Sequence, residues 1–311
     1  MRYPSCMRRL RFLVSFTLVL LAACSVPTNL HAQIDPTWTT QVVPFRIADN
    51  LFYVGSQDLA SFLVVTPQGN ILINANLESS PAQIRASVER LGYKWADTKI
   101  LLNGQAHSDH MGGAAAVILE THAKNMVMDG DVETTEAGGA KGFQANWHFD
   151  TRFPPAHVDR VLHDGSKVTL GGVTLVAHKT PGHTRGCTTW TMQVHLPGEP
   201  AGLLRNVVIV GGASFWSEYH FVARPGVPES YPHIAKDFEH TFAVLHALPC
   251  DVFLGEHGKY FDLEAKLKRY PKEGPEVFVD PTGYQAFVAS SEKTFDAALA
   301  KQKAEAAAAK H

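Results

Sequence analysis

The 311-residue sequence predicts a layered α/β fold, and three observations carry that prediction. Short apolar runs rich in Val, Ile, Leu and Phe alternate with amphipathic stretches at helical spacing along most of the chain. No linker divides the sequence into halves, and no internal repeat is visible. Residues of metal-binding type fall just beyond three predicted strands, where layered α/β folds place their sites.

Residues 1–32 read as an export signal. Arg2, Arg8, Arg9 and Arg11 form a positive start, and residues 12–23 are an apolar run too short to span a bilayer as a stable helix. Two processing points compete. Leu21-Ala22-Ala23-Cys24 resembles the lipobox of bacterial lipoproteins, which makes 1–23 the signal and leaves a lipidated Cys24 at the mature start. Cleavage after Ala32 instead releases a free periplasmic chain beginning at Gln33. Residues 33–303 are expected to form one domain, and 304–311 a frayed Ala/Lys tail.

Trp38 is the expected packing anchor of an extended lead-in over 33–45. Residues 51–54, 61–65 and 71–74 read as antiparallel strands punctuated by Gly55, Pro67 and Gly69. Ser80-Pro81 opens a helix with Ile84, Val88 and Leu91 on its apolar face, and Gly92 ends it. A strand over 99–102 leads into Asn103-Gly104-Gln105-Ala106-His107-Ser108-Asp109-His110-Met111-Gly112-Gly113, and an Ala-rich helix follows over 114–119. Then come a strand over 125–128, a short helix over 132–137, and a long surface loop over 138–157. Strands over 158–162 and 167–170 flank the tight turn His163-Asp164-Gly165. Further strands over 173–178, 188–194 and 207–210 precede an amphipathic helix over 237–248. A strand over 252–254 delivers His257, and a helix over 281–303 closes the domain.

Composition narrows the function. The chain is 45% hydrophobic and 19% charged with a formal net charge of −2, an ordinary globular balance, and no basic block beyond the N-terminus suits nucleic acid. Its sixteen histidines make metal chemistry worth asking about but do not locate ligands. Beyond the signal only Cys187 and Cys250 remain, and the sequence leaves open whether they pair. A thiolate ligand at Cys187 is disfavoured, because other donors suffice.

The 103–113 stretch lies where a strand turns into a helix, a place that can aim several side chains at one point. Two imidazoles and a carboxylate within four residues are zinc ligand types. His183, in Thr180-Pro181-Gly182-His183-Thr184, and His257, in Gly255-Glu256-His257-Gly258, each follow a predicted strand. Singly, either could be a surface histidine after a turn; as a set they point to a metal site.

With these stretches, with Gly69 to Asn74, and with Asp280-Pro281-Thr282-Gly283-Tyr284, the chain resembles the metallo-beta-lactamase superfamily over about residues 45–295. The resemblance is closest to the third subclass of class B beta-lactamases. It implies an αββα sandwich of two mixed sheets covered by helices, with two zinc ions at one edge. Position by position, it implies a first zinc site at Gln105, His107 and His183 and a second at Asp109, His110 and His257. It also implies that a zinc-activated water attacks the beta-lactam carbonyl, with Asp109 orienting that water. The implied substrates are penicillins, cephalosporins and carbapenems.

Three departures from the family pattern stand out. Gln105 replaces the usual His, and an amide oxygen is a weaker zinc donor than imidazole, so one tight and one weaker zinc are expected. Asn74 stands where many members have an Asp that supports the metal loop. Ser214-Phe215-Trp216 stands where relatives carry a Ser-rich stretch; Ser214 and Trp216 are the expected substrate contacts. The competing functions are a lactonase or another hydrolase of this fold, or a zinc-binding protein with a decayed site. Hydrolases such as glyoxalase II-like thioesterases usually add a metal-bridging Asp after the Pro-Gly-His turn, and residues 210–214 hold no carboxylate.

Overall fold

The computed structural model describes residues 35–147, 151–200 and 202–309. The proposed signal and Cys24 lie outside them. Seven strands form the first sheet: β1 Phe45–Arg46, β2 Leu51–Tyr53, β3 Phe62–Thr66, β4 Gly69–Ile73, β5 Thr98–Leu102, β6 Lys124–Met128 and β7 Arg160–Leu162. They lie in sequence order, antiparallel from β1 to β4 and parallel from β4 to β7. The second sheet comprises β8 Lys167–Leu170, β9 Val173–Lys179, β10 Thr188–Val194, β11 Arg205–Val210 and β12 Val252–Gly255, in the order β12-β11-β10-β9-β8. Only its β11–β12 pairing is parallel.

The helices are α1 Pro81–Arg90, α2 Ser108–Met111, α3 Ala114–Thr121, α4 Val132–Glu136, α5 Ile234–Ala247, α6 Leu263–Glu273 and α7 Pro281–Ala308. The period-2 alternation of the strands sorts side chains between two cores. Phe62, Val64, Ile71, Ile73, Ile100 and Leu102 join Leu175, Ala177 and Trp190 of the other sheet. Leu63, Leu72 and Leu101 point the opposite way and meet Ile84 and Val88 of α1 and Val117 of α3. Phe238 and Phe242 of α5 and Phe295 of α7 pack within the first of these cores. The result is the expected αββα layering. Among the described residues no helix is long and apolar enough to cross a membrane.

The structure revises three local expectations. Helix α7 does not end at Lys303 but runs to Ala308. Its last turns have work to do: Gln302 Oε1 accepts the Phe221 N–H at 2.7 Å, its Nε2 donates to the Tyr219 carbonyl at 2.7 Å, and Glu305 pairs with Arg224. Residues 138–157 are not simply a surface loop, since Gln144 and Phe153 are buried and Phe143 and Trp147 pack on the core. Helix α6 was not expected, because Pro271 and a lysine-rich face mask its pattern; its buried Lys266 pairs with Asp280 at 2.8 Å. Cys187 and Cys250 are both free thiols.

Candidate metal centre

The loop between β5 and α2 is held by backbone groups from distant strands. Gly104 N–H donates to Asn74 Oδ1 at 3.1 Å, the Gly104 carbonyl accepts from Thr188 at 2.7 Å, and the Asn103 carbonyl accepts from the Trp190 indole at 2.9 Å. At its far end the His110 carbonyl accepts from both Ala75 and Asn76. Asn74 itself is left-handed at φ 65°, a region that Asn tolerates better than most residues. Asp131 ties this loop to the turn after β9. Its Oδ2 accepts Ala106 N–H and the Thr184 hydroxyl, and its Oδ1 accepts Gly186 N–H. Burial pushes the Asp131 carboxyl up to about 6, against those three donors.

On this frame the sequence-selected residues form two adjoining groups. Donor atoms of Asp109, His110 and His257 all lie within 4.8 Å of one another. Asp109 Oδ2 stands 3.3 Å from His110 Nε2 and 3.5 Å from His257 Nε2. His107 and His183 form the other group, with ring centroids 4.8 Å apart. Gln105 does not turn toward an imidazole with its amide nitrogen; that group donates to Glu256 Oε2 at 2.8 Å. Ser214 and Trp216 are exposed after β11, and the Trp216 ring lies 5.5 Å from His107 and 5.1 Å from His183. Gly212 leaves the room His183 needs, since a Cβ there would come within 2.5 Å of its ring.

Hydrogen bonds to outer partners engage one ring nitrogen of three histidines and leave the other facing the centre. His107 Nε2–H donates to Gln144 Oε1 at 2.6 Å, an assignment set by Gln144 Nε2 donating to Tyr219 and to the His183 carbonyl. That leaves His107 Nδ1. His183 Nδ1–H donates to the Ser214 carbonyl at 2.7 Å, leaving Nε2. His257 Nδ1–H donates to Asp58 Oδ2 at 2.9 Å, leaving the Nε2 that faces Asp109. Outer partners of this kind orient metal-binding imidazoles and raise their basicity. Asp58 is itself anchored by the Trp38 indole at 3.2 Å and Lys259 N–H at 3.0 Å. Trp38 thus packs as expected and also reaches the site.

The electrostatics match this division. Burial lowers the His107 pKa, and burial together with His107 lowers that of His183 further, so both stay neutral. Burial also opposes ionisation of Asp109, but His110 and His257 prevail and hold its pKa well below the usual range. For His257 burial is outweighed by hydrogen bonds to Asp109 and Asp58, which raise it to about 9. Burial raises the Glu256 pKa, against the pull of His110 and Gln105.

This donor set fits a zinc ion. Two imidazoles and a carboxylate converge, and both ring nitrogens of the fully buried His110 lack a hydrogen-bond partner, as does Gln105 Oε1. Cys187 is not among the donors; its buried thiol lies against Gly212, and burial pushes its pKa well up. The sequence reading missed Glu256, Asp58, Asp131 and Gln144. Only Glu256 gave a signal, as a carboxylate beside His257 just after the apolar run 252–254.

Comparison with known proteins agrees with this architecture. Residues 59–194 match the metallo-beta-lactamase superfamily. A probable metallo-hydrolase from Burkholderia pseudomallei is 32% identical over 115 residues, which span 37% of this chain and only 37% of that protein. Solved structures match at greater length. The native FEZ-1 metallo-beta-lactamase from Legionella gormanii is 46% identical with a TM-score of 0.80, over 85% of this chain and 98% of that one. BJP-1, a subclass B3 metallo-beta-lactamase of Bradyrhizobium japonicum, is 34% identical with a TM-score of 0.78, over 86% and 98%. The class B3 di-zinc metallo-beta-lactamase LRA-12 from an Alaskan soil metagenome is 33% identical with a TM-score of 0.74, over 85% and 96%.

Proposed function

The chain belongs to the metallo-beta-lactamase superfamily, and from that premise we propose that it is a zinc-dependent hydrolase that opens the beta-lactam ring of antibiotics. The observation that carries this reading is the convergence of Asp109, His110 and His257 within 4.8 Å, in a chain so similar to subclass B3 enzymes over its folded body. Bound zinc supplies a water of near-neutral pKa and a Lewis acid for the lactam carbonyl.

The protein's own groups divide the remaining work. Asp109, His110 and His257 would hold the tight ion, and Gln105, His107 and His183 a weaker second one. Asp109, held ionised by His110 and His257 against its burial, would orient the attacking water. Asp58, Gln144 and the Ser214 carbonyl keep the imidazoles in the tautomers that zinc needs. His257, raised to about 9, would have to give up its Nε2 proton to hold zinc, because ligands bind in the deprotonated form. Trp216 forms an exposed aromatic wall for the substrate's side groups, and the exposed Ser214 hydroxyl, 3.5 Å from that of Tyr260, serves the substrate carboxylate. No protein nucleophile is required.

The test is turnover of nitrocefin and of a simple lactone, alongside zinc content after dialysis. Nitrocefin opening that a chelator abolishes and zinc restores is the expected result. Lactone turnover alone would make the protein a lactonase, and retained zinc with neither activity would make it a binding protein.

Export to the periplasm, and with it a role in antibiotic resistance, is part of the same proposal and rests on residues 1–32 alone. Mass spectrometry of the mature N-terminus separates an acylated Cys24 from a free Gln33. An intact Met1 in the native host would contradict export.

A further inference from the structure

Two of the sequence's departures from its family, Gln105 and Asn74, meet at one unassigned residue. Glu256 is buried, and its Oε2 accepts the Gln105 amide N–H at 2.8 Å across 151 positions of sequence. The Asn74 amide, whose Nδ2 donates to the Ala60 carbonyl at 3.3 Å, also favours the ionised form of this carboxylate, and His110 Nε2 stands 3.9 Å away. Gly104 completes the fit: a Cβ there would lie 1.6 Å from Glu256 Oε1, so the chain has no side chain where the carboxylate sits. Glu256 is fixed from behind, its N–H donating to the Val210 carbonyl and its own carbonyl accepting from Ala60. An Asp at position 74 would place a second buried carboxylate against the first, whereas Asn supplies an amide. Gly104, Gln105 and Asn74 therefore read as three adjustments to a single buried side chain.

The consequence falls on the metal centre. An amide has one metal-binding atom, its oxygen, and it can rotate to present either end. With Nε2 engaged by Glu256, Gln105 Oε1 is left buried without a partner. We propose that Glu256 is a positioning residue of the first metal site, which by accepting the Gln105 N–H keeps the amide oxygen as the donor beside His107 and His183. The Gln105–Glu256 pair thus does jointly what a single imidazole does in the usual pattern, with the carboxylate in the outer shell. This inference rests on the first site proposed above.

The test measures zinc equivalents by competition with a chromogenic chelator on the full mature chain, without any activity assay. Glu256→Leu fills similar volume without an acceptor, and Glu256→Gln retains one. The second equivalent should weaken about 10–100-fold in Glu256→Leu, the usual cost of losing an outer-shell partner, and less in Glu256→Gln. The first equivalent should hold in both, which also shows that the variants fold. In a Gln105→His background the amide is gone, and Glu256→Leu should then change the second equivalent by no more than about twofold, the limit for uncoupled positions. A second equivalent unaffected by Glu256→Leu overturns the pairing, as does an equal loss with His at 105, or loss of the first equivalent too. A wild type that takes no second equivalent overturns the first site and the pairing together.

Discussion

The two halves of the metal centre are built differently. Asp109, His110 and His257 bring their donor atoms within 4.8 Å of one another, with a carboxylate already between two imidazoles. Gln105, His107 and His183 present two neutral imidazoles and an amide whose nitrogen is tied elsewhere. The first set resembles a site assembled before the ion arrives, and the second a site with weaker chemistry held in place by its neighbours. Donor type and preorganisation therefore point the same way: one ion should bind much more tightly than the other.

The largest test removes a donor from the stronger half. His110→Ala and His257→Ala should each lose the tight zinc and more than about 100-fold of the turnover, since even outer-shell changes cost 10–100-fold in affinity or activity. Ala at His122, His195 or His240 should leave both unchanged, because none of these side chains belongs to either group. Metal analysis with initial rates decides this, and a His257→Ala protein with normal zinc would break the division.

An intermediate effect is expected on the weaker half. Gln105→His replaces an amide oxygen with imidazole and should tighten the second equivalent by roughly tenfold or more on donor chemistry. Turnover need not rise. A calorimetric titration showing an unchanged second equivalent would mean that Gln105 does not face that ion.

How much of this was legible in the sequence follows the reach of the interactions. Strands such as β10 and helices such as α1 declare themselves through side chains two to four positions apart, and their bounds were close to those observed. The donors could be read because each follows a strand. Asp58, Gln144 and Glu256 could not, because their roles depend on partners 199, 37 and 151 positions away. Helix α6 and the end of α7 were misjudged for a related reason: their stability comes from tertiary partners, Asp280 for the one and the backbone of Tyr219 and Phe221 for the other.

A smaller effect lies behind the stronger half. Asp58 has a pKa of about 2 against an ordinary 3.8, so its contribution to stability is full above 3.8 and lost as pH falls through about 2. His257 is raised from 6.5 to about 9, so its contribution is full below 6.5 and lost as pH rises through about 9. The pair should thus stabilise the zinc-free protein most between pH 3.8 and 6.5. Asp58→Asn should flatten the acid limb of the thermal midpoint against pH and weaken the tight zinc about tenfold. A pH profile identical to wild type would show that the pair carries no stability. Smallest of all, Trp216→Ala should raise KM several-fold with little change in kcat, because uniform binding is what an exposed wall supplies.

The central claim, one tight zinc that suffices for catalysis, is tested most directly by titrating zinc into metal-free protein while following binding by calorimetry and the initial rate on a carbapenem in parallel. The account predicts that activity reaches its plateau with about the first equivalent, while a second, weaker binding step follows with little change in rate. Two equally tight steps, or a rate that appears only with the second equivalent, would contradict it.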